Sequence, residues 1–201
     1  MKKFILSAIL IVSAVIGMNA QDVDLSINAG IGTSTWVGDH SSGTSPRFAY
    51  RVGLGVDVPI QGRFGFRTGL NFEQIGTNFD TDDLVKNLDL HSNQMYLEVP
   101  LMGTVRFGLK RADLVFNAGP YLAVGVGGKT TAAYRGESYS EKTFGSGDDG
   151  LNRFDMGMGL GLGLDFNRFR VGIDTRYGFL HIMDNTKAYN IAMFFNFGYK
   201  F

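Results

Sequence analysis

Cysteine is absent from the chain. Its absence excludes disulfides, thiol nucleophiles, cysteine-ligated zinc and the lipid-modified type of export signal. An excess of one charge is lacking too, because 19 Lys+Arg balance 19 Asp+Glu. That balance argues against the basic patch of a nucleic-acid binder, so no nucleic-acid partner is expected. Proline is scarce, at 4 of 201 residues. One long apolar run exists, residues 4–18, and it is shorter than the ~20 residues a membrane-spanning helix requires. Glycine, by contrast, is abundant at 28 residues and is interleaved with 13% aromatics. Neither a G-X-Y period nor Gly/Ser low complexity accompanies it. The information therefore lies in where the glycines sit.

The apolar run follows Lys2 and Lys3 and ends at Asn19, Ala20 and Gln21. A basic start, a short apolar stretch and a small residue at its end predict a secretory signal peptide over 1–20, cleaved after Ala20. Residues 21–201 then form one exported domain. An uncleaved anchor helix is the alternative.

From Val23 onward the apolar residues recur every second position, the period of strands. The cleanest stretch sets Phe154, Met156, Met158, Leu160, Leu162 and Leu164 against Asp155, Gly157, Gly159, Gly161, Gly163 and Asp165. Eight such strands are expected along the chain, joined alternately by short turns near 59–63, 108–113 and 167–168 and by long polar segments at 38–46, 76–92, 129–152 and 180–187. A helical turn or two, capped by Thr81, is expected to run to Leu88. Pro100 and Pro120 fall inside strands, where each predicts a bulge or a local break in the ladder.

Alternation alone does not say which parity faces outward. Volume does. Roughly 45–50 mostly large apolar side chains occupy one parity, whereas an eight-stranded barrel is only just wide enough for its own interior side chains and a comparable core takes about 12. The apolar parity must face lipid and the glycine and charged parity must line the lumen. The fold class is thus all-β: an eight-stranded antiparallel up-and-down transmembrane β-barrel with short periplasmic turns and long extracellular loops. A soluble β-sandwich is the competing architecture. Rim aromatics are expected from Trp36, Tyr50 and Tyr189 at the loop end and from Phe64, Phe166, Phe169, Tyr199 and Phe201 at the turn end.

The charges on the inward parity are Arg51, Asp57, Arg67, Glu73, Glu98, Arg106, Arg153, Asp155, Asp165, Arg170, Asp174, Arg176 and Lys200. A hairpin centred near Gln61 sets Asp57 diagonal to Arg67 and Arg51 diagonal to Glu73, and a turn centred between Asn167 and Arg168 sets Asp165 opposite Arg170. Mixed signs at complementary positions read as a paired polar network filling the lumen, since buried charge is costly unless paired. A narrow ion path, in which one sign dominates a constriction, is the alternative.

Tyr96-Leu97-Glu98-Val99-Pro100-Leu101, Arg106-Phe107 and Asn117-Ala118-Gly119-Pro120-Tyr121, with the final Tyr199-Lys200-Phe201, resemble the small outer-membrane β-barrel family of Bacteroidetes, the porin-family or PorT-like proteins. The resemblance spans essentially the whole exported chain. It implies residence in the bacterial outer membrane and insertion by the barrel-assembly machinery, which would read Phe197, Tyr199 and Phe201 as a C-terminal signal. It also implies outer-membrane lipid and lipopolysaccharide as surroundings, with envelope or secretion proteins as partners.

A structural or interaction role is expected rather than catalysis. His40, His91 and His181 all lie on long loops, with Asp184 near His181 and Asp89 and Ser92 flanking His91. A general base needs an oriented partner and a nucleophile within reach, and no catalytic residue is assigned. An outer-leaflet enzyme acting on lipid A and a small solute channel are the alternatives. Asp80, Asp82 and Asp83, like Asp148 and Asp149, do not match a calcium-binding loop, and the glycines from Gly157 to Gly161 do not match a dinucleotide fingerprint. No metal or cofactor is expected.

Overall fold

The computed structural model describes residues 23–39, 41, 43–80, 88–134, 137–144, 150–183 and 186–201. The export signal expected over 1–20 lies outside them, as do His40, Asp82, Asp83, Asp148, Asp149 and Asp184 and the helical turn starting at Thr81. The described chain forms nine strands: β1 Asp24–Gly38, β2 Thr44–Gln61, β3 Phe64–Phe79, β4 Leu88–Gly108, β5 Asp113–Tyr134, β6 Glu137–Lys142, β7 Phe154–Phe166, β8 Phe169–Gly178 and β9 Ala188–Lys200.

Eight of them close into an antiparallel ring in the order β1-β2-β3-β4-β5-β7-β8-β9, with β9 pairing back to β1 from Ser26–Lys200 to Gly38–Ala188. Closure satisfies every strand edge inside the bilayer, where an unpaired backbone group costs several kcal/mol. The ninth strand, β6, corrects the reading of 129–152 as a long polar connection between strands: it pairs with the upper part of β5, from Lys129–Lys142 to Tyr134–Glu137. The segment 76–92 is likewise more ordered than its polar composition implies, because β3 runs to Phe79 and β4 begins at Leu88. Residues such as Thr130, Thr131, Ser92 and Asn93 are polar on both parities there, so the period-two signal vanishes although the ladder continues. Upper β3, β4 and β5 with β6 therefore form a sheet projecting beyond the ring.

Parity is resolved as the volume argument requires. Leu25, Ile27, Ile31, Val52, Leu54, Leu70, Phe116, Leu160, Leu162, Ile173, Phe195 and Phe197 are exposed on the outer face, while Arg51, Asp57, Glu73, Glu98, Asp165, Arg170 and Arg176 are buried inside. Trp36 is the exception among the expected rim aromatics. It lies on the inward parity of β1, is buried, and meets Phe79 edge-on at 5.3 Å.

Both prolines interrupt a ladder without shifting its register. Pairing of β3 with β4 skips from Thr68–Leu101 to Asn71–Glu98 beside Pro100. Pairing of β4 with β5 skips from Pro100–Tyr121 to Gly103–Ala118 beside Pro120. The missing amide donor removes local bonds, and the flanking pairs hold the alignment. The bulge in β4–β5 sits elsewhere, where Met95 pairs with Gly127 and Tyr96 with Gly125, leaving Val126 as the extra residue.

Candidate functional site

The lumen is built in layers from the turn end to the loop end. The β2–β3 hairpin sets the first. Its register puts Asp57 directly opposite Arg67 and Arg51 directly opposite Glu73, correcting the diagonal placement expected from a hairpin centred near Gln61. The tight turn comes at Gly62 and Arg63, and an irregularity between Pro59 and Gln61 shifts the rest of the strand. Directly facing residues interact more strongly than diagonal ones, and Arg67 Nε lies 2.8 Å from Asp57 Oδ1.

On the opposite wall Asp165 pairs with Arg170 across β7 and β8. Arg170 grips it with two nitrogens, Nε at 2.6 Å and Nη2 at 2.7 Å, and reaches across the barrel to Asp57 at 3.0 Å. Arg106 and Lys200 approach the same Asp165 carboxylate at 3.1 and 3.4 Å. Two acids and four cations thus form one crossbeam above the turn-end mouth, a vestibule of about 550 Å³ bordered by Asp24, Arg63, Thr104 and Arg106.

Beyond this crossbeam lies an internal cavity of about 110 Å³ with Asn28, Asn117, Asn196 and Met102 in its wall. The second ionic layer follows. Arg176 on β8 contacts both Glu73 on β3 and Glu98 on β4. Arg51 contacts Glu73 at 3.4 Å and Asp174 at 3.1 Å, and its guanidinium lies 4.1 Å from the centre of the Phe194 ring. Asn71 donates to Glu98 at 2.9 Å, and Asn196 donates to Asp174. Charge-assisted bonds of this kind, cross-linking five strands, suit a narrow interior that excludes bulk water. Next, Tyr121 and Asn190 both donate to Asp155, at 3.3 and 3.1 Å.

The uppermost layer is apolar, which the polar composition of its connections does not foreshadow. Trp36, Ile75, Tyr96, Phe144, Leu151 and Ile182 form one buried cluster inside the loop-end mouth. Three of them come from connections read only as polar: Phe144 and Leu151 from 129–152 and Ile182 from 180–187. Phe144 meets Tyr96 edge-on at 5.5 Å. A Cβ at Gly125 would lie 2.6 Å from its Cε2, so the glycine leaves the space that the ring fills. Backbone bonds latch the connections together, Leu151 N to Thr143 O at 3.0 Å and Asn152 N to Ile182 O at 2.8 Å. Arg153, expected among the luminal charges, is exposed at this mouth instead. It precedes β7, donates to the Phe144 and Gly125 carbonyls at 2.9 and 3.3 Å, and so straps the loop.

The loop histidines have local partners: His91 Nδ1 is 3.3 Å from Asp89, and His181 Nε2 is 3.1 Å from the Tyr189 hydroxyl. Neither is hydrogen-bonded to a serine among the described residues. The described residues also hold no group of three or more acids and histidines that could hold a metal ion. Phe197 and Tyr199 lie on β9 at the turn end with Phe201 just beyond it, where Phe169 and Tyr199 meet at 5.5 Å and Tyr199 and Phe201 at 5.5 Å.

The family model described as outer membrane protein beta-barrel domain matches residues 12–184. No curated protein sequence matches the chain. Among solved structures, the outer membrane enzyme PagL is 14% identical, with coverage of 87% of this chain and 98% of that one and a TM-score of 0.50. Ail, the attachment invasion locus protein of Yersinia pestis, is 16% identical over 90% of this chain and 100% of its own, with a TM-score of 0.45. The outer membrane protein OprG from Pseudomonas aeruginosa is 13% identical over 89% and 95%, with a TM-score of 0.46.

Proposed function

We propose, from the premise that this chain belongs to the outer membrane protein β-barrel domain family, that it is a non-enzymatic, non-conducting barrel whose loop-end sheet is its interaction surface. The protein resides in the outer membrane. The reading rests on one observation, the stacking of two ionic layers and an apolar plug across the lumen. A solute path would have to break Arg176 from two carboxylates and displace Phe144 from its socket. Conduction requires sites that bind weakly enough to release, and interlocked guanidinium–carboxylate pairs do the reverse.

The surface offered for recognition is the projecting sheet. Strand β6 is exposed along its whole length and pairs on one edge only among the described residues. Envelope or secretion proteins are the class of partner this surface would serve, and PorT-like assistance to protein secretion is the specific version suggested by the motifs around Tyr96 and Asn117. Lipid and lipopolysaccharide surround the barrel.

Purified protein reconstituted in planar bilayers is expected to show no large, stable open state. Regular conductance steps would replace this reading with that of a solute channel. Photo-crosslinkers placed at Ser138 and Tyr139, which are exposed on β6, are expected to capture envelope proteins in native outer membranes. Capture only of lipid and barrel-assembly components would remove the secretion version.

A further inference from the structure

The short turns carry a charge pattern that the lumen does not explain. Arg63 sits between β2 and β3, Lys110 and Arg111 between β4 and β5, and Arg168 between β7 and β8, all exposed. Three of the four positions around the turn-end rim are therefore cationic. Acids near that rim do not neutralise them. Asp24 approaches Lys200 at 3.8 Å and Asp113 approaches Arg106 at 3.8 Å, both cations belonging to the luminal crossbeam. No ion pair joins any of the four turn cations to a carboxylate among the described residues.

Aromatic neighbours fix the placement of Arg63 and Arg168. The Arg63 carbonyl accepts a bond from Arg106 N at 2.8 Å, which ties the turn to β4. Its guanidinium lies 5.4 Å from the centre of the Phe107 ring, an exposed aromatic on the outer face of β4 just before Lys110. Arg168 is held by a hydrogen bond instead, donating to the Tyr199 hydroxyl at 3.2 Å. Aromatics of a barrel rim sit at headgroup depth. A guanidinium docked on such a ring lies at the depth of the lipid headgroups, and Arg63 does so while also bordering the turn-end vestibule.

We propose that Arg63, Lys110 and Arg111, with Arg168 as a second point, bind the phosphates of acidic phospholipids in the periplasmic leaflet. The cations are contiguous along the rim from the β2–β3 turn across Phe107 to the β4–β5 turn. Guanidinium groups match phosphate oxygens in geometry as well as charge. Lipopolysaccharide phosphates belong to the leaflet at the opposite end of the strands, so phospholipid is the anionic occupant these positions meet. The inference rests on membrane residence with the short turns on the periplasmic side, and does not depend on whether the lumen conducts.

The test measures preference for phosphatidylglycerol over phosphatidylcholine with spin-labelled lipids, using the full protein in mixed vesicles. A Lys or Arg near an acidic lipid surface contributes ~1 kcal/mol, so each cation removed is expected to lower the relative association about fivefold at its own point. Wild-type protein should prefer phosphatidylglycerol. The R63Q/K110Q/R111Q variant should lose most of that preference, and R168Q should lose a smaller share. A loop-end control, K129Q/K187Q, should keep it. Heat-modifiable migration on gels verifies that each variant is folded. Equal association of both lipids with the wild type, or an unchanged preference in the folded triple variant, would overturn the proposal.

Discussion

Replacing Arg176 with alanine is expected to destabilise the barrel by about 3–5 kcal/mol, the cost of leaving a buried charge without its partner. The reason is geometric. Arg176 bridges Glu73 and Glu98, which have relative exposures of 0% and 2%. It also lies 5.1 Å from the centre of the Tyr121 ring and 5.8 Å from that of Phe194, so aromatic rings border the space its loss would open. Arg51 cannot take over both acids, because it already serves Glu73 and Asp174. Guanidinium-induced unfolding from lipid vesicles measures the loss directly. The triple variant R176M/E73Q/E98Q should recover most of it, since a complete neutral replacement of a buried ionic group is often near neutral in stability. If R176A matched the wild type in stability, the ion pairs would be incidental to the fold. If the triple variant were as unstable as R176A, shape rather than charge pairing would be what matters in that layer.

The ring and its parity were legible because one physical quantity decided them. Too many large apolar side chains share one face to fit inside eight strands, and residues such as Leu160 and Phe195 accordingly face outward. The facing of Asp165 and Arg170 was legible too, since a two-residue turn at Asn167 and Arg168 leaves little freedom of register. The Asp57 and Arg51 facings were misplaced because the turn comes at Gly62 and Arg63 rather than at Gln61, a difference that the irregularity beside Pro59 only partly offsets. Tertiary contacts explain the remaining differences. Trp36 reads as a rim aromatic by type, yet it lies on the inward parity of β1, and the parity was the better guide. Phe144 stands in a polar stretch with no period at all, and its partner Gly125 is far away in sequence. The glycine excess on the inward parity is a matter of space, and the groups occupying that space are varied. A Cβ at Gly178 would meet Asp155 Oδ1 at 2.9 Å, and one at Gly157 would meet the Tyr121 hydroxyl at 2.8 Å. The charged pairs fill their own volume, and the glycines make room for amide, carboxylate and aromatic side chains between them.

Phe144 yields the second large effect, and its readout is local. Truncating a buried phenylalanine to alanine costs about 3–5 kcal/mol. Here the loss falls first on the latch that holds the loops over the mouth, because Phe144 belongs to a short connection after β6 and not to the ring. Local openings draw on local stability, and proteolysis of an opened segment tracks its population when reclosing is fast. At the lower end of that range the latch opens about a hundredfold more often. Trypsin cleavage after Lys142 or Arg153 should therefore accelerate by about that factor in F144A, while the ring, paired from β1 round to β9, resists digestion. G125A should give a similar acceleration from the other side, since its methyl would fall within 2.7 Å of the Phe144 ring. The two substitutions should not add. With the ring gone, the three nearest contacts of a methyl group at position 125 go with it, so G125A/F144A should be cleaved no faster than F144A alone. Additive acceleration would mean that Gly125 and Phe144 act independently and that the socket is not what closes the barrel.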